Sequence, residues 1–328
     1  MVESVLLAAP RGYCAGVERA VDTVERALAA YGSPVYVRKQ IVHNSHVVQE
    51  LEAKGAVFVE DESDVPEGAV VVLSAHGVAP EVYANAARRA LDVIDATCPL
   101  VTKVHLEARR FDREGRTVIL IGHEGHEEVV GTSGQAPGRV IVVGSIGEAR
   151  TVEVPDPSSV AYLTQTTLSV DETNEIVQVL RERFPAIQAP PKDDICYATQ
   201  NRQDAVKELA GRSDVVLVVG SANSSNSNRL AEVAREMGTP AHLVDDEGQV
   251  DLGWFRDARV VGLTSGASAP EWLVERMIDF LVDLGAQRVE EVRLVEENVR
   301  FSMPTSLRKL SPAETPRFTA VPGRSVAR

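Results

Sequence analysis

Cysteine is scarce in this chain, with three in 328 residues. An odd number spread over so long a chain makes a poor disulfide framework. Basic residues are also short: 34 Lys and Arg face 48 Asp and Glu, for a formal net charge of −14. That balance argues against nucleic acid or an anionic membrane as the main partner, while leaving room for a local anion site. No apolar run approaches the ~20 residues of a membrane span. The N-terminus lacks a basic region followed by a long apolar stretch, so a cytoplasmic location is expected. Neither G-x-G-x-x-G nor G-x-x-x-x-G-K-[ST] occurs, which removes the standard dinucleotide and nucleotide loops.

What is present is alternation. Hydrophobic residues make up 44% and charged residues 25%, ordinary values for a globular chain of two or three domains. Short apolar runs predict strands at 5–9, 35–38, 70–74, 93–96, 118–121, 140–143, 162–164, 215–219 and 260–263. Helical periodicity follows Cys14, with Val17, Val21, Val24 and Leu28 on one face. Further helices are predicted over 44–55, 81–90, 100–114, 170–184, 202–209, 229–237 and 271–284. Apolar strands alternating with helices imply an α/β fold with mainly parallel sheets covered on both faces. In such folds ligands bind beyond the carboxyl ends of the strands, so the strand-to-helix loops carry the information. Three α/β units are expected: 1–96 with Cys14, 97–192 with Cys98, and 193–285 with Cys196. The first strand has the option of joining the third unit. A C-terminal segment, 286–328, follows, with a mobile tail expected from about 311.

Each cysteine sits just ahead of a helix, where unpaired N–H groups and the positive dipole end favour thiolate. Free cysteines are commonly small buried hydrophobes. Three of three at helix starts fit a metal site better. Structural zinc would want four ligands, commonly as C-x2-C pairs, and no such pair exists. Three distant thiolates suit a cubane iron–sulfur cluster with one iron left open as a Lewis acid.

The other informative side chains are polar. His43, His76 and His126 occupy strand-end loops and can donate to phosphate oxygens. His105, His242 and His46 read as ordinary satisfied residues. The loops 164–169, 221–228 and 264–269 are rich in Ser, Thr and Asn, beyond what helix capping requires, and can hold an anion without lysine. Glu124, Glu127 and Glu128 lie with the histidines, and a carboxyl there is a candidate for proton transfer. The residues alone do not choose among them. A zinc or di-metal phosphohydrolase built on the histidines is the competing reading, and a non-catalytic iron–sulfur sensor is a third.

The motifs RGYCAGVERA, VHNSHVV, SAHGV, DATCPLVTKVH, GHEGHEEVVGT, TQTTLS, ICYATQNRQ, GSANSSNSNRL and TSGASAPEWLV occur in that order. Together they resemble the 4-hydroxy-3-methylbut-2-enyl diphosphate reductases, the last enzymes of the non-mevalonate isoprenoid pathway. The resemblance covers roughly 6–307 and extends to VRFSMPTSL near the end. It implies three α/β domains around a pseudo-threefold axis with a central [4Fe–4S] cluster. Cys14, Cys98 and Cys196 match the cluster ligands, and the open iron takes the substrate hydroxyl. His43, His76, His126, Ser224, Ser225, Asn226 and Ser268 match the groups around the substrate, chiefly its diphosphate. Thr167 lines the same pocket. Glu128 matches the carboxyl that relays a proton, with the Thr166 hydroxyl beside it. The implied reaction is reductive dehydroxylation of the allylic diphosphate to isopentenyl and dimethylallyl diphosphate. Two electrons come from an external donor, ferredoxin or flavodoxin. One departure stands out: the family usually reads His-Pro-Glu where this chain has His126-Glu127-Glu128. Losing that proline frees the backbone and adds a charge beside the proposed acid.

Overall fold

The structure, a computed structural model, describes residues 2–308. The expected mobile tail from about 311 lies outside the described residues. The chain opens with β1 (Ser4–Ala9), α1 (Ala15–Tyr31), β2 (Val35–Arg38), α2 (Ser45–Ala53), β3 (Ala56–Val59), β4 (Val70–Leu73), α3 (Pro80–Arg88) and β5 (Asp92–Asp95). It continues with α4 (Pro99–Arg113), β6 (Thr117–Ile121), α5 (Glu127–Ser133), β7 (Val140–Val143), α6 (Ile146–Thr151), β8 (Val160–Thr164) and α7 (Val170–Arg183). Then come α8 (Tyr197–Ala210), β9 (Val215–Val219), α9 (Ser225–Glu236), β10 (Ala241–Val244), β11 (Val260–Ser265), α10 (Glu271–Asp283), β12 (Arg288–Arg293) and α11 (Thr305–Arg308).

The strands form three sheets, ordered β10-β9-β11-β1-β12, β3-β2-β4-β5 and β7-β6-β8. Every strand pairing within them is parallel. The reason is legible in the side chains, which alternate between two apolar layers. In the first sheet Val5, Leu7, Leu217 and Val219 pack on Leu273, Val274, Met277 and Leu281 of α10. On its other face Leu6 and Ala8 pack on Ala205 and Leu209 of α8, while Val216 and Val218 meet Leu230 and Ala234 of α9. In the second sheet Val35, Val37 and Val72 face α1 and α2, whereas Val71 and Leu73 face α3. In the third, Ile119 and Ile121 face α7, and Val118 and Leu120 face Val104, Ala108 and Phe111 of α4. A strand buried on both faces has no polar side, which is why these runs read as continuously apolar.

Three points bear on the sequence expectation: the first takes up the option left open for the first strand, and the other two depart from it. First, β1 lies in the five-stranded sheet between β11 and β12, so Cys14 leaves that sheet and not the one formed by β2 to β5. Second, the segment after 285 supplies a strand. β12 reads Arg-Val-Glu-Glu-Val-Arg, and its charges belong to a sheet edge where one side faces water. Third, α8 and α9 begin at Tyr197 and Ser225, earlier than the predicted 202 and 229. Their first turns are Thr-, Ser- and Asn-rich, and such residues lower helical signal while favouring helix starts. No helix among the described residues is long and apolar enough to cross a membrane.

Two arginines fasten the C-terminal stretch to the loops ahead of the cysteines. Arg202 on α8 is fully buried and donates to the Gly12 carbonyl at 2.8 Å and to Glu297 at 3.1 Å. Arg19 on α1 donates to the carbonyls of Ala96 at 2.9 Å, Thr97 at 3.0 Å and Ser302 at 2.8 Å. The C-terminal stretch carrying Glu297 and Ser302 is thus fastened across the loops that precede Cys14 and Cys98. Glu297→Ala strands the Arg202 guanidinium without its counter-charge. Global stability is expected to fall by about 3 kcal/mol, as for other broken buried pairs. A denaturation midpoint equal to that of the parent protein would show that the pair contributes nothing.

Candidate active site

Strand ends from all three sheets open onto one cavity of about 110 Å3. Cys14 follows β1, His43 follows β2, His76 follows β4 and Cys98 follows β5. Glu128 lies beyond β6, Thr166 and Thr167 beyond β8, Ser224 beyond β9 and Ser268 beyond β11. This is where a parallel sheet concentrates unpaired backbone groups and helix N-termini.

The three cysteines are held the same way. Each is the N-cap residue of a helix: Cys14 of α1, Cys98 of α4 and Cys196 of α8. Each donates its backbone N–H to a carbonyl in a neighbouring strand-end loop. Cys14 donates to Ala267 at 3.3 Å, Cys98 to Ala75 at 2.9 Å and Cys196 to Thr166 at 3.1 Å. The Cys196 loop is further pinned by Asp194, which accepts from the Thr164 N–H at 3.0 Å and pairs with Lys103 at 2.7 Å. Gly16 keeps the thiols close. A Cβ there would lie 2.8 Å from the Cys98 Sγ and 3.7 Å from the Cys14 Sγ, so any larger residue would displace Cys98.

The thiols are unbridged. Burial, then the nearby Cys14 sulfur, push Cys98 up to about 12 and Cys196 up to about 11. The helix N-terminus was expected to favour thiolate. At these two positions desolvation and mutual repulsion win, and the Thr199 N–H (3.4 Å) and hydroxyl (3.2 Å) at Cys196 Sγ recover only part of the loss.

Above the thiols lie the imidazoles. His43 and His76 stack with ring centroids 4.0 Å apart, and His126 meets them edge-on at 5.4 and 5.9 Å. Burial lowers all three pKa values, to about 3 for His43 and His126 and about 4 for His76, so the rings are neutral near pH 7. Ser268 donates to the His43 carbonyl at 2.8 Å. Thr167 and Ser225 share a hydroxyl contact at 3.1 Å, and Ser224 caps α9. Asn226 is buried, and both its amide atoms lack any hydrogen-bond partner, the mark of groups awaiting a ligand. No Lys or Arg lines the cavity among the described residues.

The three candidate glutamates differ in burial and in partners. Glu124 is exposed. Glu127 turns to His76, with Oε2 3.2 Å from Nδ1. Glu128 is buried on the cavity wall and accepts from the Thr166 N–H at 2.6 Å and hydroxyl at 3.0 Å. Desolvation dominates over these bonds and raises its pKa to about 7.

The residues that the resemblance matched to the site, Cys14, Cys98, Cys196, His43, His76, His126, Glu128, Thr166, Thr167, Ser224, Ser225, Asn226 and Ser268, all border this cavity, whereas Glu124 and Glu127 are not among its lining residues. His46 instead pairs with Asp246, and His242 stacks on Trp254. His105 does not fit the expectation of a satisfied residue: its Nε2 is buried against the Gly77 turn with no partner. Sequence reasoning missed Gly16, Thr199 and Phe301, which also line the cavity. The Cys-x-x-Thr spacing at a helix start was the available signal for Thr199, by the logic of N-capping. Phe301 lies in the VRFSMPTSL segment covered by the resemblance, but that segment has no periodicity to place its side chain on the cavity.

The LytB protein family matches residues 5–282. The chain belongs to this family. It is 61% identical over 306 residues to a protein of Acidothermus cellulolyticus named 4-hydroxy-3-methylbut-2-enyl diphosphate reductase, spanning 93% of this chain and 90% of that one. A protein of Leifsonia xyli with the same name is also 61% identical, over 93% of this chain and 91% of its own. Among solved structures, the E-1-hydroxy-2-methyl-but-2-enyl-4-diphosphate reductase from Plasmodium falciparum superimposes with a TM-score of 0.91. It shares 36% identity and is covered over 94% of this chain and 98% of its own. This LytB chain therefore shares its fold with a solved reductase at an identity that supports residue-level comparison.

The buried Glu128 carboxyl sets a pH dependence. Its folded pKa, about 7, lies above the unfolded value of 4.5, so folding favours the protonated form. That contribution is complete below the unfolded value and is lost as pH rises through about 7. The cost at high pH is about 3 kcal/mol on the basis of 1.36 kcal/mol per pKa unit. Glu128→Gln, which carries no charge, is expected to match the parent protein near pH 4.5 and to unfold at a higher temperature above pH 7.5 (both rough limits set by the two pKa values). Parallel pH profiles of unfolding temperature for the two proteins would contradict the assignment.

Proposed function

We propose that this protein is a cytoplasmic iron–sulfur oxidoreductase that reduces 4-hydroxy-3-methylbut-2-enyl diphosphate to isopentenyl and dimethylallyl diphosphate. The observation that carries the reading is the meeting of three helix-capping thiols with a polar, lysine-free set of donors on one cavity wall. The chain is read as three α/β units, each delivering one cysteine.

The donor set fits a [4Fe–4S] cluster held by Cys14, Cys98 and Cys196. Three thiols without a fourth leave one iron free of cysteine, and buried thiols that resist ionisation alone become thiolates against a cationic core. When bound, such a cluster supplies one-electron transfer and a Lewis-acidic iron beside the pocket. An external donor, ferredoxin or flavodoxin, provides the electrons.

The chain's own residues do the rest. In the net reaction the allylic C–O bond breaks and a C–H bond forms, with two electrons and two protons taken up and water released. Asn226, Ser224, Ser225, Thr167, Ser268 and the three histidines hold the diphosphate by N–H and O–H donation. In a buried setting such donors are stronger than in water. A neutral histidine offers one N–H, and a bound polyanion favours a second proton on the ring. Glu128, near half-protonated at neutral pH, delivers a proton to the leaving hydroxyl, and the Thr166 hydroxyl that it holds orients the transfer. The walls of the cavity keep bulk water from competing for that proton.

General acid assistance is typically worth ~10²–10⁴-fold. Glu128→Gln should slow turnover by about that factor while iron and sulfide content stay at the parent level. Undiminished turnover in steady-state assays would remove Glu128 from the reaction. Replacing any one of Cys14, Cys98 or Cys196 with serine should abolish the brown colour of anaerobically prepared protein and lower its iron and sulfide count. A serine variant with full iron content would sink the ligand assignment.

A further inference from the structure

No Lys or Arg borders the cavity among the described residues, yet one arginine reaches it through a chain of hydrogen bonds. Arg229 on α9 donates from Nη2 to the Nε2 of His123 at 3.0 Å. A guanidinium has only donors and keeps its charge, so Nε2 is the bare nitrogen and Nδ1 carries the hydrogen. That Nδ1 faces the Oε1 of Gln165 at 3.3 Å, and the His123 backbone N–H donates to the same oxygen at 3.1 Å. Two donors on one atom decide which end of the amide is the oxygen. The Gln165 Nε2 then donates to the Thr167 hydroxyl oxygen at 3.0 Å and to that of Ser225 at 3.4 Å. The two hydroxyls are 3.1 Å apart, so one donates to the other. Whichever does so, one hydrogen of the pair is left over, and both residues line the cavity. The chain is packed in place. Gln165 is 1% exposed, and a Cβ at Gly122 would lie 3.2 Å from its Oε1.

We propose that Arg229, His123 and Gln165 are positioning residues that commit the Thr167–Ser225 pair to donate into the cavity, toward an oxygen of the bound diphosphate. The inference rests on the diphosphate reading of the pocket. A hydroxyl left to itself accepts as readily as it donates, and its lone pairs repel an anion when they face it. Here the Gln165 amide occupies a lone pair on each hydroxyl, so the spare hydrogen has one direction left. Glu172 at 3.0 Å and Glu232 at 2.6 Å pair with Arg229 and offset its charge, so the chain transmits orientation and not a field on the thiols. Linked hydrogen bonds also polarise one another, which strengthens the last donor. A donor aligned beforehand loses less freedom when the anion docks. The effect belongs to binding, because the diphosphate is held alike before and during the reaction.

The test is calorimetric binding of inorganic diphosphate to iron-loaded protein prepared without air. Gln165→Leu removes the amide and should weaken binding about 10-fold, the scale of one hydrogen bond to a charged group. His123→Ala keeps the backbone donor and should cost less, about 3-fold. His123 is only partly buried, so that variant reports even where Gln165→Leu fails to fold. Both changes are then repeated in a chain carrying Thr167→Val and Ser225→Ala. There each should shift the dissociation constant by less than ~2-fold, because the hydroxyls through which they act are gone. In turnover of the allylic diphosphate, each single variant should raise KM by more than it changes kcat. No diphosphate binding by the parent protein, unchanged affinity in both single variants, or losses that simply add to those of the hydroxyl deletions would each overturn the proposal. A protein that shows this coupling with diphosphate but does not reduce the allylic substrate would support the proposal and count against the function reading alone.

Discussion

One backbone interaction, repeated three times, fixes the distances on which the proposed chemistry depends. The N–H of each cysteine donates to a carbonyl just past the end of a strand: Ala267 after β11, Ala75 after β4, Thr166 after β8. The thiols are therefore positioned by the sheets and not by flexible loops. Each acceptor is also part of the wall that carries a polar candidate, Ser268, His76 and Thr167 being the next residues along. A shift of one strand end would move a sulfur and a polar donor together. This coupling explains why three sheets of different size, with five, four and three strands, present similar edges to a common cavity.

The sheets can do this because each is buried on both faces. Side chains of β1, β6 and β9 are committed to helices above and below, so no apolar face is left to build a pocket. Only the strand ends remain, where backbone groups and helix N-termini are unpaired. Polar loops are thus the chemical consequence of a fully covered parallel sheet. The two arginine clamps belong to the same logic, because Arg19 and Arg202 satisfy carbonyls of the loops that precede Cys98 and Cys14.

Much of this was legible in the residues. The apolar runs gave the inner strands because burial on two faces leaves no alternation to misread. The edge strand β12 was not legible, since its arginines and glutamates look like a loop until β1 is seen beside it. The starts of α8 and α9 were displaced because their Ser, Asn and Thr residues serve the cavity before they serve the helix. At the site, the placement of three cysteines ahead of helices pointed to a metal, but no spacing rule could show that they converge. Residue type alone left the neighbouring glutamates indistinguishable, and only the family resemblance singled out Glu128. Their difference arises from the start of α5, which points Glu128 at Thr166 and leaves Glu127 facing His76.

The absence of Lys and Arg from the cavity lining among the described residues follows from the same constraint. A fixed cation beside three buried thiols would hold them ionised in the empty protein and leave uncompensated charge at low dielectric. Neutral donors avoid that cost. Hydroxyls, an unpartnered amide and uncharged imidazoles stabilise an anion only when it arrives, and they impose no field on the thiols beforehand. The acidic chain has enough basic residues to have placed one there, yet Arg19 and Arg202 spend their charge on backbone carbonyls and Glu297 behind the wall. The pocket's affinity for a negative group thus comes from direction and burial of dipoles, and Glu127, the one added charge among the imidazoles, is the feature that breaks this rule.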